Sequence, residues 1–318
     1  MKAVLINSEK KLCWSEVADP APKLGYAVVE VRAAGVNRAD LLQAAGKYPP
    51  PPGWPEWPGL ECSGVVAEAV PGGRFRPGDK VCALLGGGGY AEKVLVPEGM
   101  IMPIPEGVSF VEAAALPEVY TTAMLNLVIL GELKKGETLF VQAGASGLGI
   151  AAIQIGKLLG AKVVTTVGSP EKAAAVKKLG ADVVVNRKLE PVDEILMRNP
   201  VDVALDCAGG ELLGKCLPAM NPGGRWILVS TLGGESTEIP LRVLLKKHLK
   251  LIGSTLRSRS DAEKSGILQR LVETVWPQVA AGTLRPVIDR TFPMERANEA
   301  HRVLAEQKNI GKVVLTLG

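Results

Sequence analysis

The stretch Glu137–Lys178, ETLFVQAGASGLGIAAIQIGKLLGAKVVTTVGSPEKAAAVKK, constrains the fold more than any other part of the chain. A short β-rich apolar run, Glu137–Ala143, leads into the turn Gly144–Gly149, and an apolar helix follows over Gly147–Leu159. Gly160 falls where a helix C-terminus favours glycine. A second strand, Lys162–Val167, precedes Ser169 as N-cap and Pro170 at the first helical position, with Gly180 past the end. Strand, turn, helix, strand and helix make a βαβ unit, whose strands belong to a parallel sheet covered on both faces. The α/β rhythm then continues. Asp182–Asn186, Val201–Asp206, Arg225–Ser230 and His248–Thr255 read as further strands, with a helix over Val192–Arg198, so six strands are expected.

The glycine spacing Gly144-x-x-Gly147-x-Gly149 suits the pyrophosphate of a dinucleotide. The phosphates must approach backbone N–H groups at a helix N-terminus, where the helix dipole favours negative charge, and any side chain there holds them off. Ser146 stands where the usual fingerprint has its second glycine. A tight turn alone gives similar letters; the setting between strand and helix is what favours dinucleotide binding. NAD sites place Asp or Glu about 20 residues further on, against the ribose 2′-hydroxyl. This chain has Gly168 and Ser169 there, no carboxylate before Glu171, and Lys172 one turn into the helix. A small polar turn with a lysine accepts a 2′-phosphate, which argues for NADPH. Taken alone, Lys172 is equally well a solvated surface lysine.

At 318 residues the chain is long enough for two domains. A net charge of +4 without a basic block gives no electrostatic footprint for nucleic acid. Five cysteines with no CxxC pair fit a reducing compartment. Charges appear by Glu9, too early for a signal-peptide core, and no long uncharged apolar run suggests a membrane span. A cytoplasmic protein is therefore expected. Residues 1–110 read as short strands, Met1–Ile6, Leu12–Glu16, Ala27–Ala34, Ser63–Ala69, Lys80–Leu85 and Ala91–Val96, joined by Gly/Pro turns into a barrel-like β domain. Gly35–Gly59 breaks this pattern: Asn37–Ala45 suits one or two helix turns, and Tyr48 opens a proline run. That segment reads either as a site of substrate chemistry or as a loop covering a sheet edge. Glu112–Leu130 reads as a helix interrupted at Pro117, Asp261–Ala281 as a long amphipathic helix, and Arg285–Gly318 as strand, helix (Met294–Gln307) and strand (Lys312–Leu317).

Seven ordered motifs, GVNRAD, GKYPPPP, the glycine-rich loop, DCAGG, TLGG, STLRSR and QKNIGKVVL, run over essentially the whole chain. Together they resemble the zinc-free quinone oxidoreductases of the medium-chain dehydrogenase/reductase superfamily, in the group of the p53-inducible quinone oxidoreductases and zeta-crystallin. The resemblance implies an α/β fold with a GroES-like β-barrel catalytic domain (1–118 and 256–318) and a Rossmann doubly wound parallel six-stranded sheet (119–255). It implies NADPH-dependent quinone reduction by a homodimer paired along the strand near His248–Thr255. It places Asn37 and Thr122 near the nicotinamide and the turn residues Gly144, Ala145, Ser146, Gly147 and Leu148 on the pyrophosphate. Gly168, Ser169 and Lys172 fall on the 2′-phosphate side, and Cys207 and Ala208 on the adenine-ribose side. Thr231, Leu232 and Gly233 approach the nicotinamide ribose, Leu256 the carboxamide, and Asn309 closes from the tail. Where relatives often carry Tyr, this chain has Arg187, which either pairs with a 2′-phosphate or faces solvent.

Zinc-dependent relatives place Cys at the position of Asn37 and His at that of Leu60, and Val96–Gly107 lacks the four cysteines of a structural zinc lobe. The expectation is therefore no metal, with His248 and His301 as core or surface residues. Quinone reduction needs stacking, water exclusion and stabilisation of an oxyanion. Tyr48 is expected to donate to that oxygen, with Asn37 and Asp40 positioning the nicotinamide and the loop. Reduction of enals, enones or enoyl thioesters is the nearest alternative. A non-enzymatic NADPH- or RNA-binding role is the alternative of another class.

Overall fold

The computed structural model describes all 318 residues. The chain opens with β1 (Lys2–Ile6), β2 (Leu12–Glu16), β3 (Tyr26–Val36), α1 (Arg38–Ala44), β4 (Glu61–Glu68), β5 (Lys80–Leu84), β6 (Lys93–Pro97) and β7 (Ile101–Pro103). Helices α2 (Phe110–Ala113) and α3 (Pro117–Ala123) lead into β8 (Thr138–Val141), α4 (Gly147–Leu158), β9 (Lys162–Val167) and α5 (Pro170–Lys178). There follow β10 (Val183–Asn186), α6 (Val192–Met197), β11 (Val201–Asp206), α7 (Glu211–Cys216), β12 (Met220–Leu228), α8 (Leu241–Lys247) and β13 (Lys250–Gly253). The tail forms α9 (Asp261–Ala280), β14 (Ile288–Pro293), α10 (Ala297–Ala305) and β15 (Lys312–Thr316). Two compact units result, Met1–Thr121 with Arg257–Gly318, and Thr122–Leu256.

The first unit is built on a sheet in the order β14-β15-β3-β4-β5-β7, with β6 also paired to β3. Strand β3 is eleven residues long and exchanges partners along its length, β6 and β4 on its first half, β4 and β15 on its second. Its Ala- and Val-rich run is buried on both faces, as a central strand requires. The tail strand β15 pairs antiparallel to β3 in the register Val313↔Val36, so a strand from the tail joins the sheet formed by β3, β4, β5 and β7.

The second unit is the expected α/β layer: six parallel strands in the order β10-β9-β8-β11-β12-β13. The order reverses between β8 and β11, and ligands of such sheets lie beyond the strand C-termini at that reversal. Phe140, Val164, Val185 and Trp226 are among the side chains filling one face of the sheet, the Phe140 and Trp226 rings 6.0 Å apart.

Three elements differ from the sequence reading. The expected strand His248–Thr255 is only β13, because Leu241, Leu244 and Leu245 recur at helical spacing and form α8, which ends with His248 in the left-handed conformation (φ +50°). The helix expected to run on to Leu130 becomes a π-helical segment over Met124–Leu130, where Gly131 N–H reaches back to Asn126 O (2.9 Å). Strand β7 is absent from the sequence reading, since three residues carry too little periodicity to be read.

Candidate active site

In the second unit the chain turns sharply after β8. Ala143 takes the left-handed conformation (φ +55°) and its N–H donates to Thr166 Oγ1 (3.2 Å). A Cβ on Gly144 would strike Thr165 Oγ1, and one on Gly149 would strike Ala143 O, so both glycines are required by the contact of turn, helix and neighbouring strand. Ser146, in place of a fingerprint glycine, is the N-cap of α4: its Oγ accepts from Gly149 N–H (3.0 Å). The N–H groups of Gly147 and Leu148, ahead of the first intrahelical bond, are left to point at a ligand, which is the geometry a pyrophosphate takes up.

The next strand ends carry the other predicted residues. Ser169 caps α5 by accepting from Lys172 N–H (3.3 Å), with Pro170 in the first turn as expected. The Arg187 guanidinium lies across Gly168, where an added Cβ would meet Nη1 at 2.9 Å. Gly168, Ser169, Lys172 and Arg187 thus share one corner at the ends of β9 and β10. Beyond β11 the loops of Cys207–Gly210 and Thr231–Gly234 zip together: Gly233 N–H donates to Ala208 O (2.7 Å), and Gly209 bridges Gly234. Asp206, which the sequence reading passes over, organises this junction. Its fully buried carboxylate accepts from Ala208 N–H (2.9 Å), Gly209 N–H (2.7 Å) and Trp226 Nε1 (2.9 Å). Leu232 is 54% exposed, while Leu256 is buried at the end of the unit. Thr122 begins the unit and accepts from Asn126 Nδ2 through its carbonyl (2.7 Å).

The first unit holds Asn37, Asp40, Tyr48 and Asn309. Asn37 is the N-cap of α1, and its N–H donates to Asp40 Oδ2 (2.7 Å). Asp40 is fully buried and also accepts from Gly59 N–H (2.9 Å) and Tyr90 OH (3.1 Å). Both its oxygens are therefore occupied by the protein, which makes it a residue that fixes the loop. Burial pushes its pKa up to about 6 against these donors. The Tyr90 hydroxyl continues the chain to His301 Nε2 (3.3 Å), whose ring burial holds down to a pKa of about 4. The Asn37 amide donates to Glu61 Oε1 (2.9 Å), and Lys312 Nζ donates to Asn37 Oδ1 (2.7 Å), Glu61 Oε1 (2.6 Å) and Val36 O (3.0 Å). Gly35 permits this cluster, since a Cβ there would overlap Glu61 Oε1.

Tyr48 sits on a different support. The Arg257 guanidinium lies 5.0 Å from its ring centroid and donates to Tyr48 O (3.1 Å), Gln43 Oε1 (2.6 Å) and Gly86 O (2.8 Å). Burial raises the phenol above its usual pKa, so it stays a neutral hydrogen-bond donor. Asn309 donates to Gly311 O (2.7 Å), two residues on. The sequence reading misses Glu61, Lys312, Arg257, Tyr90 and His301 as members of these networks. A lysine heading an otherwise apolar strand, GKVVLTL, is the one available signal. No group of three or more His, Cys, Asp or Glu side chains converges in a geometry that could hold a metal ion.

Comparison with known proteins bears on both units. Residues 23–106 match the alcohol dehydrogenase GroES-like domain, and residues 147–273 match the zinc-binding dehydrogenase family. Quinone oxidoreductase of Rattus norvegicus is 32% identical over 313 residues, 95% of this chain and 92% of its own length. The quinone oxidoreductase of Thermus thermophilus, solved alone and with NADPH, superimposes with a TM-score of 0.86 at 31% identity, covering 100% of both chains. The JamJ enoyl reductase superimposes with a TM-score of 0.85 at 25% identity, covering 100% of this chain and 99% of its own.

Proposed function

Since the chain belongs to the quinone oxidoreductase family of the medium-chain dehydrogenase/reductase superfamily, we propose that it reduces quinones with NADPH, by hydride transfer and without a metal. The corner that joins Gly168 and Ser169 to Lys172 and Arg187 carries the proposal. It offers two cations and no carboxylate before Glu171, the chemistry a 2′-phosphate requires and a free 2′-hydroxyl does not.

The cofactor supplies a hydride; the rest is the work of the chain's own residues. The α4 N-terminus, with Gly144, Ala145, Ser146, Gly147 and Leu148, binds the pyrophosphate. The zipped loops carrying Cys207, Ala208, Thr231, Leu232 and Gly233 shape the ribose sites, and Thr122, Leu256, Asn37 and Asn309 orient the nicotinamide. Asn37 can do so because Lys312 and Glu61 lock its side chain from behind. Tyr48, neutral and held on Arg257, donates a hydrogen bond to the oxygen that gains charge. The metal-free reading rests on the side chains themselves: a lysine ammonium fills the space between Asn37 and Glu61.

A second reading, reduction of the carbon–carbon double bond of enals, enones or enoyl thioesters, is favoured by the likeness to an enoyl reductase. NADPH and NADH oxidation with 9,10-phenanthrenequinone, 1,4-benzoquinone and an enal decides between them. Quinone turnover with strong NADPH preference is expected. Enal turnover with inert quinones moves the assignment to the double-bond reductase, and tight NADPH binding with no turnover leaves a cofactor-binding protein.

A further inference from the structure

Arg257 stands 209 positions from Tyr48 and meets it only in the fold. It heads the tail segment of the first unit and is 6% exposed. Its guanidinium ties three pieces of chain together. Nε and Nη2 donate to Gly86 O (2.8 and 2.5 Å), just past β5. Nη2 also donates to Gln43 Oε1 (2.6 Å) on α1, and Nη1 donates to Tyr48 O (3.1 Å). Gln43 in turn donates through Nε2 to Glu56 O (2.6 Å). Glycines leave room for this packing. A Cβ on Gly86 would strike the Trp54 indole at 2.6 Å, and one on Gly87 would lie 3.0 Å from Pro55 O and 3.5 Å from Arg257 Nη2. Trp57 Nε1 closes the same edge on Gly88 O (3.1 Å). The loop that carries Tyr48 is thus fastened at both ends, at Tyr48 by Arg257 directly and at Glu56 through Gln43.

Two features exceed what fastening a loop requires. A buried guanidinium is costly and is ordinarily paired with a carboxylate. Every oxygen that accepts from Arg257 is neutral: two main-chain carbonyls and one amide. The carboxyl groups of Asp40 and Glu118 favour its charge from a distance, without touching it. The second feature is where this charge lies, 5.0 Å from the centroid of the half-buried Tyr48 ring. A cation there fixes the plane of the ring and favours negative charge on it, so the hydroxyl becomes a stronger donor to an oxygen that is gaining charge. Burial, the larger effect, pushes the phenol pKa up; Arg257 pulls it down, and Glu118 adds to burial.

We infer that Arg257 is a positioning residue of the reduction: it holds Tyr48 in place for the acceptor, and its charge, paired with no carboxylate, strengthens the hydrogen bond that Tyr48 gives. The inference rests on the reading of Tyr48 above as donor to the acceptor oxygen.

The test is a double-mutant cycle on the full-length protein, Tyr48→Phe crossed with Arg257→Gln, with NADPH saturating and 9,10-phenanthrenequinone varied. Arg257→Gln is expected to lower kcat/KM for the quinone by about tenfold to a hundredfold, the worth of a hydrogen bond to a charged group. The Kd of NADPH, by fluorescence titration, is expected to stay unchanged. In the Tyr48→Phe background the same change is expected to cost less than about threefold, because a residue that acts through the hydroxyl has nothing left to act on. Arg257→Lys keeps the charge and loses the planar fork, so it is expected to recover part of the rate. If Arg257→Gln loses the fold by circular dichroism, the cycle is run with Arg257→Lys, whose loss is expected to vanish likewise in the Tyr48→Phe background. Any of three results overturns the inference and leaves the reductase reading in place: losses that multiply in the double variant, an arginine variant with the wild-type rate, or a Tyr48→Phe enzyme with the wild-type rate. Absence of wild-type turnover on every quinone and enal overturns the reductase reading and the inference with it.

Discussion

Lys312 Nζ lies 2.6 Å from Glu61 Oε1, with 4% of the lysine side chain and none of the glutamate exposed. The two residues come from β15 and β4, so the pair fastens the tail of the chain to its first sheet. An ion pair this deep stabilises little over an apolar pair of the same shape, because both charges lose their hydration. Breaking it is another matter. Lys312→Met leaves Glu61 buried without its cation, and Asn37 Oδ1 without its donor. Chemical denaturation is expected to show a loss of about 3–5 kcal/mol. Adding Glu61→Gln to Lys312→Met should recover part of it. A Lys312→Met protein as stable as wild type would show that water reaches Glu61.

The nucleotide corner yields a specificity prediction. Lys172→Ala and Arg187→Ala should each lower the preference for NADPH over NADH by about tenfold, close to 1.4 kcal/mol, chiefly through KM. NADH kinetics should hardly change, because its 2′-hydroxyl needs neither cation. Equal loss with both cofactors would assign these side chains to the structure of the turn.

Acid stability should report on His301. Burial holds its folded-state pKa at about 4, against 6.5 as the ordinary value. The unfolded chain binds a proton in that interval that the folded one refuses, so the contribution is complete above pH 6.5 and is lost as pH falls towards 4. The loss amounts to about 3 kcal/mol. Asp40 acts in the opposite sense, since its pKa is raised from 3.8 to about 6 and the folded state binds the extra proton. The comparison to make is therefore His301→Gln against wild type. The variant should gain relative stability between pH 7 and 4, by urea unfolding at fixed temperature. A pH-independent difference would mean that the ring titrates alike in the folded and unfolded chains.

Strand β13 forms the free edge of the six-stranded sheet, and Leu241, Leu245 and Leu251 are 66%, 73% and 38% exposed beside it. An unpaired edge flanked by leucines is a template for a second copy, which would extend the parallel sheet by antiparallel pairing across a twofold axis. Sedimentation at micromolar concentration should give a dimer, and Leu245→Glu with Leu251→Lys a monomer. A wild-type monomer at that concentration would remove the proposal.

The sequence is legible where the physics is local. The turn at Gly144–Gly149, the Ser169 cap and the parallel strands around them depend on backbone angles and periodicity within some 40 residues. His248–Thr255 reads as too long a strand because a short leucine-spaced helix and an apolar strand look alike until a neighbour fixes one of them. Other features are outside the reach of any window. Glu61 and Lys312 lie 251 positions apart, and only the pairing of β15 with β3 brings them together. Glu118 is an ordinary helix-start glutamate in sequence, whereas in the fold it stands beside a carboxylate that has taken its backbone N–H. The chain's own order therefore determined the dinucleotide fold, because that is written in spacing. The meeting of Glu61 with Lys312 and Asn37 was decided by the tertiary structure alone, because charge energies depend on distance and burial in space and not on position along the chain.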